Sequence, residues 1–590
     1  MLPVRYKLGQ LITQISLSEL SSKVQSVKLA VDALSRTIAF PIFDLISQFF
    51  IETDGLQQHT FEISSEEGLV TFRNLVNDTF DESMIIYDET KDNFVTFDGL
   101  SSNNYRRALN AKLSEDIDLT QLTDEMGNEL SWVSIDNYWG TFDGNGHKII
   151  VNKTYTQYLD VDGNTIIRQG LFSSLDGATI KNLTLEGNET ILNSEEITNC
   201  GGIVAEIRNT RSKNTVFENC INKRNITMTN GAKVGGFAGY SSGEQTTFTN
   251  CVNIGTINIE STSNYAPCFS GFTIGATSYT KCINIGDIKG AVQEVEGNVF
   301  GSVAGFDNGS SVTFTDCINF GNISVNTIDG EKITDKIYGF SAIDEYNAPN
   351  FYNCIDLGTA NYPFTNTTIN QTGTSTNSYY CVENYEELNF GFTGKTISEL
   401  FELNQTELSS DWLIQDSYYP LPNIGNTLPN DVWQIILEKA KPTEGTSINP
   451  FTTWKQLKDY VYEESSEEST VYISGTLEAT EMVYVKRPVI IMSTGTSTTI
   501  KRINGCTNLF QINAEKSLTI KGTSENNIIL DGGNTSETPL EIVYPLLQVA
   551  QQGGEIILEH CKLQNSNCGS DSYGAILYAS SESLAFNALL

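Results

Sequence analysis

Few residues of this 590-residue chain have the type and spacing that catalysis or ligand binding needs. Asp143 and His147 flank Gly144-Asn145-Gly146 and offer a carboxylate and a base within one tight turn. A second carboxylate, Asp531, precedes Gly532-Gly533. A polysaccharide lyase or hydrolase needs such carboxylates gathered on one exposed face, with a basic residue to stabilise developing charge. Both aspartates stand in Asp-Gly turns, where the carboxylate satisfies its own backbone. The repeats are poor in base, and no Lys or Arg partner can be placed beside either. The two are read as structural turns, and no catalytic residue is assigned.

Asp160-Val161-Asp162-Gly163-Asn164 opens like a calcium loop. The full loop needs a bidentate Glu at its twelfth position, which here is Leu171. A hairpin turn is the expectation, with a weak surface calcium site as the alternative. The chain has 11 cysteines and 3 histidines, His59, His147 and His560, and no Cys-x-x-Cys pair, which argues against zinc and redox motifs. No P-loop, dinucleotide fingerprint or serine triad is present. No metal-ligating or cofactor-binding residue is assigned, and no cofactor is expected. Asn-x-Ser/Thr acceptors at Asn152, Asn182, Asn188, Asn225, Asn322 and Asn404 follow from an Asn- and Thr-rich composition and matter only in a eukaryotic secretory pathway.

Charge narrows the partners. With 72 acidic and 36 basic residues the net charge is −36, and a phosphate backbone or an anionic membrane would require the opposite sign. Excess carboxylate keeps a long chain soluble and monomeric; a cation-binding surface is the sharper alternative. The content of 39% hydrophobic and 10% aromatic residues is that of a folded protein. The most apolar stretch, 38–51, is too short for a span and is broken by Pro41 and Asp44. The first ten residues lack a basic-then-apolar signal pattern.

The elements that must position these residues are repeats. Phe217-Glu218-Asn219-Cys220-Ile221-Asn222 recurs as Phe248-Thr249-Asn250-Cys251-Val252-Asn253. It returns around Cys282, Cys317 and Cys354, at spacings of 31, 31, 35 and 37 residues. A glycine step lies between: Gly235-Gly236-Phe237, Ser270-Gly271-Phe272, Gly301-Ser302-Val303 and Tyr338-Gly339-Phe340. Two motifs recurring in fixed order signal a solenoid. Each unit holds short alternating runs punctuated by Gly or Asn, and none holds ten residues of helical period. The fold class is therefore mainly β, a right-handed parallel β-helix. Successive strands would stack about 4.8 Å apart. The five repeat cysteines are read as an inward packing ladder rather than disulfides, because parallel, like-directed side chains do not reach bridging geometry. The Asn two positions after each cysteine is expected to turn the corner and to form an axial ladder.

Around the repeats, Leu20, Val24, Val27, Val31 and Leu34 mark a helical N-terminal segment, 1–55. A cap, 56–134, follows, with a serine-capped helix bearing Leu69, Phe72, Leu75 and Val76, then an alternating strand 111–119. The repeat β-helix is placed at 135–425 and a Pro-punctuated linker at 426–453. A short helix from Trp454 opens a second β-helix, 454–590, with strands near Thr470-Val471-Tyr472-Ile473, Val483-Tyr484-Val485, Val489-Ile490-Ile491, Leu518-Thr519-Ile520, Ile528-Ile529-Leu530 and Glu555-Ile556-Ile557-Leu558. It reads as cut short near Tyr573-Gly574-Ala575-Ile576-Leu577, as though the chain were a piece of a longer design.

Residues 132–360 resemble the bacterial surface proteins that carry GLUG-type repeats, through Gly140-Thr141-Phe142-Asp143-Gly144-Asn145-Gly146-His147, Gly170-Leu171-Phe172 and the Asn-Cys-Ile-Asn repeats. Residues 454–578 resemble pectate-lyase-fold surface proteins, including the polymorphic outer-membrane and autotransporter-like group, through Ile529-Leu530-Asp531-Gly532-Gly533 and Gly574-Ala575-Ile576. The resemblance implies an extracellular, adhesin-like protein. It would bind a glycan or protein on a host or neighbouring cell, or act as a stiff spacer, without turnover. The alternative is a carbohydrate-active β-helix enzyme. A cleft with clustered carboxylates and a Lys or Arg would favour the enzyme; a uniform ladder face would favour adhesion.

Overall fold

In the computed structural model, residues are described at 52–53, 59–77, 85–88, 93–96 and 107–566 apart from short segments in loops, and at 577–579 and 587–589. The N-terminal helical segment read at 1–55 lies outside the described residues except for Glu52–Thr53, which is a short strand paired antiparallel with His59–Ile63; the Asp160–Asn164 loop, Gly271-Phe272 and Tyr573–Ile576 also lie outside them. The chain divides into two compact units. The first takes in Met1–Lys395, Leu403–Ile414 and Pro420–Ile436; the second takes in Thr396–Glu402, Gln415–Tyr419 and Leu437–Leu590.

The first unit is a right-handed parallel β-helix. One coil runs through five strands: Thr215–Glu218, Ile221–Asn222, Asn225–Met228, Ala232–Gly235 and Ala238–Ser241. The next coil repeats the path from Thr246–Thr249 onward. Like strands pair in parallel and in register: Phe217 opposite Phe248, then Tyr279, Phe314 and Phe351. Register is fixed because a one-residue slip would turn every inward side chain out. The first sheet already includes His59–Ile63 and Asn110–Leu113, within the stretch read as the cap. The expected strand 111–119 is two strands, Asn110–Leu113 and Ile117–Asp118, in different sheets, since the chain turns a corner at Ser114–Asp116. The helix Glu66–Val76 is capped by Ser65, whose hydroxyl accepts from the Gly68 amide at 3.2 Å, and it buries Leu69, Phe72, Leu75 and Val76.

Equivalent side chains of successive coils stack inside the tube. Phe217, Phe248, Tyr279, Phe314 and Phe351 lie ring on ring, with centroids 4.6, 5.2, 4.7 and 4.9 Å apart and planes within 8°. Phe237 and Phe340 of the glycine step meet this column edge-to-face. Cys220, Cys251, Cys282, Cys317 and Cys354 form the next column, all buried free thiols.

The asparagine ladder is present, with one correction. Asn222 donates to Asn253, Asn253 to Asn284, Asn284 to Asn319 and Asn319 to Asp356, at 2.8–2.9 Å. These asparagines do not supply the left-handed corner. The residue before each cysteine does: Asn219, Asn250, Lys281, Asp316 and Asn353 have φ of 52–54°. Two positions beyond the ladder, Gly286 and Gly358 leave no room for a Cβ, which would sit 2.1 Å from the carbonyl oxygen one coil below.

The stretch after the coils packs back on them. Between inward Cys and Asn, the alternating residues Ile221, Val252, Ile283, Ile318 and Ile355 point outward, yet none is more than 2% exposed. Segment Leu403–Ile414 is drawn across this face. Asp411 pairs with Lys281 at 2.8 Å, and the Trp412 indole and the Ser409 hydroxyl donate to Asp316 at 3.0 and 2.8 Å. Asp431 pairs with Lys223 further on.

The second unit is a narrower coil of three strands. Its first turn is Ser469–Ile473, Thr476–Ala479 and Val483–Val485, and Val489–Ser493, Thr498–Arg502 and Phe510–Ile512 stack on it in parallel. The helix Trp454–Tyr462, with a Thr453/Gln456 capping box, buries Trp454, Leu457 and Val461 against this core. Inside, the Arg502 guanidinium donates to the carbonyls of Gly532, Thr507 and Tyr544 and so holds long loops to the coil.

Candidate functional site

The candidate carboxylates serve turns. Asp143 ends a strand of the first sheet and accepts from the Asn145 amide at 2.8 Å, the Asn182 side chain at 2.9 Å and Lys181 at 3.2 Å. Partial burial opposes its ionisation, but these hydrogen bonds and the Lys181 charge outweigh it and hold the carboxyl below its ordinary value. His147 is turned to Asp116 instead, with Nδ1 3.2 Å from its carboxylate. Asp531 accepts from the Gly533 amide at 2.8 Å and from Gln564 and Asn565 at 2.8–3.1 Å. Burial works against it too, and the same kind of bonds lower it. A carboxylate held this low stays ionised and cannot serve as a general acid near neutrality.

The outer face of the first sheet is more regular. One outward column runs Thr141, Thr179, Val216, Thr247, Ser278, Thr313, Asn350. The parallel column two residues on runs Asp143, Lys181, Glu218, Thr249, Thr280, Thr315, Tyr352. Strands stack about 4.8 Å apart and alternate residues about 6.7 Å, so the three coils of Thr247–Thr249, Ser278–Thr280 and Thr313–Thr315 set six hydroxyls on a grid. The N-terminal half carries ion pairs; this half is neutral. The sequon asparagines are largely structural as well: Asn152 accepts from the Asn188 amide, Asn188 from Asn225, and Asn322 from Thr359.

Sequence reasoning missed a groove in the second unit, of about 720 Å³, lined by Glu444, Phe451, Lys455, Asp459, Tyr462 and Glu463 among others. Its carboxylates and lysine lie on a helix and loop that carry no repeat, so nothing in the spacing marks them. Lys455 is engaged with Asp459 one helical turn on, and this hydrogen bond lowers the Asp459 carboxyl. Glu463 lies 3.4 Å from Arg487. Among the described residues no three His, Cys, Asp or Glu converge as a metal centre. None of their helices is long and apolar enough to cross a membrane.

No protein-family model and no curated protein matches the chain, so the GLUG-type and autotransporter-like resemblances find no family match. Two solved structures align with it. One is a candidate immunoglobulin A1 protease from Bacteroides ovatus, 13% identical over 63% of this chain and 94% of that one, with a TM-score of 0.32. The other is a mutant of the PL6-family alginate lyase AlyGC, 10% identical over 82% and 73%, with a TM-score of 0.19. At such scores neither carries an activity to this chain, and the fold rests on its own strand order and register.

Proposed function

We propose that this chain is a non-enzymatic, adhesin-like extracellular protein that binds a glycan or protein along the outer face of its first β-helix. The observation behind this reading is the pair of in-register outward columns, which repeat hydroxyl side chains coil after coil. A long ligand would make many weak contacts there, and their joint effect multiplies through effective concentration. The test is a glycan array probed with and without calcium, using the native chain and the Ser278→Lys/Thr280→Lys variant. Binding by the native chain that the variant loses supports the reading; binding unchanged in the variant refutes it.

A second reading, a carbohydrate-active enzyme, draws on the groove, where Glu444, Asp459 and Glu463 accompany Lys455. Incubation with pectin, alginate and other acidic polysaccharides, followed for new reducing ends and unsaturated-sugar absorbance, separates the two. Turnover abolished by Asp459→Asn or Glu463→Gln would establish the enzyme.

A further inference from the structure

The repeat cysteines hold a geometry that packing alone does not require. Each sits at the same register on its coil, because the amides of Val252, Ile283, Ile318 and Ile355 bond the carbonyls of Cys220, Cys251, Cys282 and Cys317 at 2.9–3.0 Å. Each thiol also takes the same direction, toward the carbonyl two residues before it: Glu218, Thr249, Thr280, Thr315 and Tyr352, at 3.3–3.6 Å. Side chains related by one coil in this way are separated by the strand spacing, about 4.8 Å from sulfur to sulfur. That is more than twice a disulfide bond, and the Cβ atoms are equally far apart, beyond the roughly 3.5–4.5 Å a disulfide tolerates. It is, however, twice a metal–thiolate bond of about 2.3 Å.

We propose that neighbouring thiols of this column bind a soft, linearly two-coordinate d10 cation, one ion between two coils. The site is independent of the surface-binding reading. Three observations favour this class. Among the described residues no third ligand converges on the column, which leaves a tetrahedral zinc site without donors there. Thiolate sulfur selects soft ions. The interior is apolar, with Cys220, Cys251, Cys282, Cys317 and Cys354 at most 1% exposed, so a neutral product is preferred over a buried charge. A divalent ion meets this: two thiols and one M²⁺ give RS–M–SR and release two protons. Burial pushes the Cys251 and Cys317 thiols up. The ion lies on the column axis, roughly perpendicular to each Cβ–Sγ bond, and a sulfur does not take a second ion on its opposite side. Five thiols thus hold two ions and leave one thiol unbridged.

The experiment uses the reduced full chain, Hg(II) as probe and excess glutathione. The monothiol strips ions from isolated cysteines, while a prepositioned pair retains them through effective concentration. Retention is read by native mass spectrometry and by the thiolate-to-metal absorbance. The native chain should retain two ions in the column. Cys282→Ala should still retain two, because the Cys220/Cys251 and Cys317/Cys354 pairs survive. Cys317→Ala should retain one. Cys251→Ala/Cys317→Ala should retain none there, although three column thiols remain. Equal retention by the double variant and the native chain, or no retention by the native chain, overturns the proposal.

Discussion

Asp356 closes the asparagine ladder, and its replacement by asparagine isolates what a buried charge does there. Every ladder amide donates toward the C-terminal end, so the last member needs only to accept. Asp356 does so fully: one oxygen takes Asn319 at 2.9 Å and the Gly358 amide at 3.2 Å, and the other takes the Tyr385 hydroxyl at 2.6 Å and the Phe364 amide at 3.3 Å. Burial still dominates those bonds and pushes the carboxyl up to about 6. The folded value lies above the unfolded one, so the contribution to stability is complete below the unfolded value near 3.8 and is lost as pH rises through about 6. A shift of this size is worth about 3 kcal/mol in all, of which roughly half falls between pH 5 and 7.5. Asp356→Asn removes this dependence. It also sets an amide NH₂ against the Phe364 N–H, at a cost of about 1–3 kcal/mol that does not vary with pH. The assay is the urea midpoint of the first unit at pH 5, 6, 6.75 and 7.5 and constant ionic strength. Relative to the variant, the native chain should lose on the order of 1 kcal/mol across this window. A flat difference, or one that grows in favour of the native chain, would refute the reasoning.

The column thiols should react with an aromatic disulfide only after denaturation, and the unreduced chain should then yield all five; finding them oxidised to one another contradicts the ladder. Trp412→Ala removes a fully buried indole and should cost about 3–5 kcal/mol; proteolysis within 403–436 and dye binding to the uncovered Ile283 and Ile318 face should both rise, and unchanged proteolysis would show that the segment is held elsewhere. Asp531→Ala should lower the melting temperature of the second unit, by about 1–3 kcal/mol of lost hydrogen bonding. Because its carboxyl is depressed when folded, its contribution is present above the unfolded value and disappears as pH falls through the folded one, so the native and variant curves should converge in acid.

The repeated hexapeptide around each cysteine was enough to specify a parallel coil, since only a stacked solenoid places Phe, Cys and Asn at the same register in every turn. The turn roles of Asp143 and Asp531 were legible for a similar reason, because an Asp-Gly turn binds its own amide wherever it stands. The corner residue was misplaced, because Asn occurs both before and two after the cysteine and composition does not say which copy takes positive φ; Lys281 and Asp316, which occupy the corner without being Asn, show it is the former. Those same two departures from the repeat anchor Asp411 and Trp412, an assignment no local pattern contains. The groove beside Tyr462 is likewise assembled from a loop, a helix and Phe451, none of which repeats. Local periodicity thus determined the coil, its inward columns and its turns, because those depend on contacts between equivalent positions of successive repeats. The cover over the isoleucine face, the ionisation of Asp356 and the groove were decided by tertiary structure, because each depends on which non-equivalent segments are brought together and on how much water that contact removes.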